Sequence, residues 1–105
     1  MPFLLAGNSL ALLLATADDA SVRDPMEALR IARELVAASG GRHPLLLGTM
    51  AVALASSGKK DEATRLAAEA VAMARQAGQR TVAAHLDRVE SQIAQGWPGP
   101  PREAQ

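Results

Sequence analysis

The apolar residues of this chain recur at the three- and four-residue spacing of amphipathic helices, and no segment alternates apolar with polar residues. Glycine, proline and short polar stretches divide the pattern into five segments. We therefore predict an all-α protein of about five helices and no strand. The predicted segments are residues 3–16, Pro25 to about 39, Pro44 to about 57, Lys60 to about 77, and 80–95.

The second segment has the clearest start and end. Asp24 is predicted to cap the helix, Pro25 suits the first helical position, and Glu27 is predicted to reach back and complete a capping box. At the other end, Gly40 and Gly41 are expected to close the helix in the left-handed conformation.

The chain also contains an internal repeat. Residues 27–37 (EALRIARELVA) and 62–72 (EATRLAAEAVA) are identical at seven of eleven positions with an offset of 35. The preceding segments, 8–15 and 48–55, share three identical residues at an offset of 40. The two offsets differ by five residues, which places an insertion in the first loop, at residues 18–23, where added length costs little.

A repeat of about this length with two helices per unit is typical of helical solenoids. In the second unit, large and small residues follow a fixed order: Leu47, Met50, Ala51, Leu54, Gly58, Ala63, Ala67 and Ala70. In this order the chain resembles the tetratricopeptide repeat family. It departs from the family where Leu47 and Leu54 replace the usual Trp and Tyr, and where Arg75 stands near the usual closing Pro.

The resemblance implies an antiparallel helix-pair solenoid over residues 1–96. Its helix pairs would span 3–39 and 44–77, with a capping helix at 80–95 whose polar outer surface closes the array. Ala51 and Ala63 are small, which lets paired helices touch, and Leu47 and Leu54 fill the space beside them. Residues 97–105 are predicted to form a Pro-rich flexible tail.

The family resemblance also implies a function, because the inner faces of the first helices of such repeats line a groove that binds a peptide. Neither of these helices carries a basic residue here, so the expected ligand is apolar, and Asn8 is expected to hold its backbone. The chain would then act as a protein-binding scaffold or adaptor; alternatively, these residues are ordinary core between helices. The predicted groove residues are Leu5, Asn8, Leu12, Ala15, Leu45, Thr49, Val52 and Ala55.

Residues 1–17 carry no charged side chain, and their leucines are spread around the helix. One neighbouring helix pair cannot cover all of them. We therefore predict self-association, most simply a homodimer, through Leu5, Leu12 and Leu13. Alternatively, the chain is the C-terminal structural or regulatory module of a larger enzyme or membrane protein, whose preceding repeat covers this helix. A cleaved signal is less favoured, because no Lys or Arg precedes Arg23.

Charge and composition restrict the partners. The 11 basic and 11 acidic residues give zero net charge, which disfavours nucleic acid and anionic membranes. The first apolar run is too short to insert across a bilayer, which needs about 20 residues. The absence of cysteine removes thiolate chemistry, and His43 and His85 lack metal-ligand spacing. We expect no enzymatic activity, cofactor or metal, and a cytoplasmic location.

Overall fold

The computed structural model describes residues 2–99, with side chains from residue 6 onward, and these residues form five α-helices and no strand. The predicted all-α fold is confirmed, and the helix ends differ from the predictions by only one or two residues. Of the predicted tail, only residues 97–99 are described. The helices are α1 (Pro2–Thr16), α2 (Pro25–Ala38), α3 (Pro44–Ser56), α4 (Lys60–Gln76) and α5 (Arg80–Ala94).

Helix α2 starts as predicted at Asp24, whose Oδ1 accepts a hydrogen bond from the Glu27 N–H at 3.1 Å. The second half of the predicted capping box is wrong. The Asp24 N–H donates to the Leu14 carbonyl at 2.8 Å, and the Glu27 carboxylate binds Arg30. The loop before α2 folds back on the end of α1 and supplies a backbone acceptor, while Arg30 offers Glu27 a cation one turn along the helix.

Glycine in the left-handed conformation follows each of the helices α2 to α5. At Gly58, φ is +85°, and the next N–H, that of Lys59, donates to the Leu54 carbonyl at 2.9 Å. This Schellman arrangement satisfies carbonyls that the helix leaves open. It also turns the chain within three residues, so that α4 runs back along α3. Gly40 and Gly41 adopt the predicted left-handed conformation after α2.

The helices form two layers with α3 at the centre. Helix α3 contacts each of the other four helices, and it is therefore buried on almost every side. It lies antiparallel to α2, because the Ser57 hydroxyl, just past the end of α3, donates to the Pro25 carbonyl at the start of α2 at 3.4 Å. Helices α1, α3 and α5 make one layer, and α2 and α4 make the other.

Small side chains at the helix contacts hold the two layers together. Ala51 and Ala63 are fully buried, as predicted, and Leu47 and Leu54 are buried beside them. The repeat is visible in the packing as well. Three of the four buried positions of α2 recur 35 residues later as buried positions of α4, for example as Ala28 and Ala63. Each large aliphatic side chain buried in this way stabilises the fold by about 1.5–3 kcal/mol.

None of the helices within residues 2–99 combines the length and the hydropathy that a membrane-crossing helix needs.

Candidate functional site

A cleft of about 400 Å³ lies on the layer formed by α1, α3 and α5. Helix α3 contacts both α1 and α5, but within residues 2–99 the two outer helices do not contact each other. They therefore stand as opposite walls with α3 as the floor between them. The volume falls within the range of about 300–1,000 Å³ that is usual for ligand sites.

The cleft is lined by aliphatic side chains from all three helices, and no Asp, Glu, Lys or Arg is among its lining residues. The one histidine in the lining is His85 on α5, so a charged ligand group would lose its hydration here without gaining a carboxylate, ammonium or guanidinium partner. The cleft accordingly favours an uncharged, apolar ligand. The aliphatic lining consists of Leu12 from α1, Leu45 and Val52 from α3, and Leu86 and Val89 from α5.

Polar groups on the cleft walls come mainly from carboxamides and a hydroxyl. Asn8 lies on the α1 wall, and Gln92 lies on the α5 wall. The Thr49 hydroxyl donates to Asn8 Oδ1 at 2.5 Å, which fixes the Asn8 carboxamide and leaves its two N–H groups as donors. The α1 wall thus presents a hydrogen-bond donor, and the α5 wall presents a carboxamide that can both donate and accept.

The close approach of α3 and α5 depends on Gly48. A Cβ atom on this residue would lie 2.4 Å from Leu86 Cδ2, well inside any normal contact. Because glycine has no side chain, Leu86 packs directly onto the α3 backbone. This contact sets the depth of the cleft floor on the α5 side.

Five of the eight predicted groove residues line this cleft: Asn8, Leu12, Leu45, Thr49 and Val52. Ala15 is fully buried within the helix core, and Ala55 packs against the core beside it. On α1 the cleft follows residues four apart, so Thr16 lines it in place of Ala15. The side chain of Leu5 lies outside the described residues.

Several lining residues were not predicted: Thr16, Gly48, those of α5, and Trp97. From the sequence, α5 was expected only to be a cap with a polar outer face. Its own apolar spacing contained the missing signal, because a helix that follows α4 as α3 follows α2 returns to the same layer. Trp97 had no comparable signal, since its position depends on how the chain turns after α5.

The residues predicted for self-association do not share one surface. Leu12 points into the cleft, whereas Leu13 is 53% exposed on the outer side of α1 together with Leu10, which is 46% exposed. We call Leu10 and Leu13 the α1 edge. With the repeat offset of 40, they correspond to Met50 and Ala53 of α3, and Ala53 is fully buried. The equivalent positions of α3 are therefore more buried, whereas the α1 edge is open.

The charged groups of the repeat lie outside the cleft. Arg30 forms two ion pairs of 2.7 Å on the exposed side of α2, with Glu27 and with Glu34. The hydrogen bond from Arg30 lowers the pKa of Glu27, and the carboxylates raise the pKa of Arg30. Such exposed pairs on one helix contribute little to stability. Residues 2–99 contain no cluster of three or more side chains suited to bind a metal ion.

No protein-family model, curated protein or solved structure matches this chain at a significant level.

Proposed function

We propose that this chain is a protein–protein interaction scaffold of the tetratricopeptide type, which binds an uncharged, mainly apolar peptide segment in the cleft between α1, α3 and α5. The observation that carries the proposal is the cleft lining, which is aliphatic at its centre and contains no Asp, Glu, Lys or Arg, with His85 as its one histidine. The position of the cleft on the odd-numbered helices agrees with the groove that the family resemblance implies.

The cleft has groups that suit both the side chains and the backbone of such a peptide. Aliphatic side chains of the peptide would bury apolar surface against the half-buried Leu12 and Leu45, which is the main source of affinity. Its backbone would hydrogen-bond to Asn8 and Gln92, because a carboxamide matches the donor and acceptor of a peptide group. In this proposal the chain is an adaptor and not an enzyme, and the lack of cysteine suits a reducing compartment such as the cytoplasm.

A titration with blocked peptides tests this function. We expect acetyl-Ala-Leu-Pro-Leu-Ala-amide to shift the amide NMR resonances of cleft residues on all three helices. A second peptide with both Leu replaced by Glu should leave them in place, because no Lys or Arg lines the cleft to neutralise the carboxylates. Equal binding of the two peptides, or no shift with either at millimolar concentration, would contradict the proposal.

Two variants of α1 provide a matched comparison. Leu12→Glu places a carboxylate on the cleft wall and should abolish binding of the apolar peptide. Leu10→Glu makes the same change on the same helix, at a position that is already exposed, and binding should persist. Asn8→Ala removes a hydrogen-bonding group without adding charge, and it should weaken binding by about tenfold, which corresponds to one hydrogen bond.

The α1 edge favours a second function, self-association. Two exposed leucines occur here at positions whose repeat equivalents in α3 are more buried. A second copy of the chain would cover them if the two α1 helices packed against each other around a twofold axis. No charged residue lies on α1 to oppose this contact.

Light scattering coupled to size exclusion tests the oligomeric state. We expect a dimer that Leu13→Glu converts to a monomer, while Met26→Glu, at an exposed position on α2, leaves it intact. A wild-type monomer would contradict self-association. If that monomer bound an apolar dye and the Leu13→Glu variant did not, the α1 edge would be an uncovered apolar surface. This result would favour the alternative of a module within a longer repeat protein.

A further inference from the structure

Arg23 is a buried cation at the meeting point of three segments. The residue is 9% exposed, and its guanidinium donates three hydrogen bonds. Nη1 donates to the Ala17 carbonyl after α1 at 3.0 Å, and Nε donates to the Ser56 hydroxyl at the end of α3 at 3.3 Å. Nη2 donates to the Gly99 carbonyl, 76 residues further along the chain.

The partners of this cation are unusual for a buried charge. All three acceptors are neutral, and the charge of Asp18 acts only from outside hydrogen-bonding range. Burial lowers the pKa of Arg23, although an arginine remains charged at neutral pH. Burying a charge is unfavourable unless hydrogen bonds compensate for it. The Gly99 carbonyl is one of those compensating groups, so the tail and Arg23 stabilise each other.

Residues 97–99, which we call the strap, are held at both ends. The Trp97 N–H donates to the Gln92 carbonyl at 2.9 Å, which closes the last turn of α5. The Gly99 carbonyl accepts a hydrogen bond from Arg23. Arg23 thus links the strap, which follows α5, to the ends of α3 and α1, and the Trp97 side chain lines the cleft with 38% of the residue exposed.

We propose that Arg23 is a positioning residue that fastens the strap, and that Trp97 is thereby a binding residue of the cleft, which selects a proline or aliphatic side chain at this end of the peptide. The inference rests on the proposed function. An indole ring is a large, rigid apolar surface whose N–H can still reach a partner, and aromatic surfaces of this kind bind proline-containing segments. Without the strap, the cleft would be open at the ends of α1 and α5.

Trp97 provides its own reporter. It is the only Trp in the chain, and the sequence has no Tyr, so the indole fluorescence and the single indole N–H resonance report on this position alone. Arg23→Gln should shift that resonance and increase acrylamide quenching. Loss of a charged hydrogen bond lowers the ratio of strap bound to Arg23 to strap detached from it by about tenfold or more. Arg33→Gln, on the exposed side of α2, is the matched control and should leave both signals unchanged.

A second variant changes the acceptor of the hydrogen bond between Arg23 and Gly99. Gly99 has a φ of +70°, and a Cβ here would lie 3.3 Å from the Gly96 carbonyl oxygen. Gly99→Ala should therefore move the carbonyl away from Arg23 without touching any helix. Far-UV circular dichroism checks that the helices persist, and Gly99→Ala decides alone if Arg23→Gln does not fold. Wild-type indole signals in the folded variants would overturn the role of Arg23.

Peptide binding tests the role of Trp97 separately. With acetyl-Ala-Leu-Pro-Leu-Ala-amide, we expect Trp97→Ala and Arg23→Gln each to weaken binding by about tenfold. Trp97→Ala removes one aromatic contact with the peptide, and Arg23→Gln leaves the same indole ring without a fixed position. Trp97→Phe should weaken peptide binding less than Trp97→Ala does. Undiminished binding by Trp97→Ala would overturn the role of Trp97 while the proposed function stands. A wild-type chain that does not bind would refute the proposed function and the role of Trp97 together, whereas the indole signals judge the fastening of the strap independently.

Discussion

Replacing Gly48 with Ala tests the packing that builds the cleft floor. The new Cβ would lie 2.4 Å from Leu86 Cδ2, whereas carbon atoms in contact are about 3.5–4.0 Å apart. Leu86 is 1% exposed, so its methyl group has to move by more than an ångström among buried neighbours. Alternatively, α5 has to move away from α3.

Two opposing effects decide the magnitude. Overpacking a well-packed core costs about 1–3 kcal/mol. Alanine is a better helix former than glycine by about 1 kcal/mol, and this gain acts in the opposite direction. The contact is much too short to be relieved by a small adjustment, so the packing cost exceeds the helix gain. We expect Gly48→Ala to lower the free energy of unfolding by about 1 kcal/mol.

Gly7 on α1 is a matched control. A Cβ there would lie 3.0 Å from Leu35 Cδ2, so that side chain needs to shift by only a few tenths of an ångström. For Gly7→Ala the helix gain should therefore dominate, raising stability by about 0.5 kcal/mol. Urea denaturation measures both variants, and a change of 1 kcal/mol moves the midpoint by about 0.3–1 M. A Gly48→Ala protein as stable as the wild type would refute the α3–α5 packing described here.

Three further predictions follow from the structure. Asp24→Ala removes the side-chain cap of α2 and should cost about 0.5–2 kcal/mol, measured by thermal denaturation; an unchanged melting temperature would contradict the cap. Leu54→Ala, at a position 1% exposed, should cost about 2–5 kcal/mol, while Met26→Ala, at a position 66% exposed, should stay within about 0.5 kcal/mol, and similar losses would contradict the core assignment. The hydrogen bond from Arg30 should hold the pKa of Glu27 below the usual value of about 4.3, so an NMR titration should show that Arg30→Ala raises it. Because the folded-state pKa of Glu27 is lowered, the stabilisation by this pair is present at neutral pH and is lost as the pH falls through that pKa. A titration midpoint of Glu27 that Arg30→Ala leaves unchanged would contradict the ion pair.

The helices were predictable because their signals are local. Asp24 and Pro25 mark the start of α2, and Gly58 marks the turn after α3, since each acts on backbone groups within a few residues. The half of the capping box that was predicted wrongly depends on a contact between two helices. The Asp24 N–H is bound by the carbonyl of Leu14 on the preceding helix, and no rule within α2 could predict that partner.

The cleft was predictable in part. The spacing of Asn8 and Leu12, and of Thr49 and Val52, placed one side of α1 and one side of α3 in the same layer once the repeat was recognised. The contribution of α5 required knowing that the chain returns to that layer a third time. Ala15 was assigned to the cleft wrongly, because a rotation of one residue along a helix decides between the cleft and the core.

The sequence by itself determined which residues form helices, where the helices end, and that two helical hairpins share one pattern. Periodicity and glycine positions act over a few residues, and a repeat needs only the comparison of the chain with itself. Only the tertiary structure decided the gap between α1 and α5, the burial of Arg23 and the placement of Trp97 along the cleft. These features depend on contacts such as that of Arg23 with Gly99, between residues far apart in the chain, and the packing of the intervening helices sets their distance.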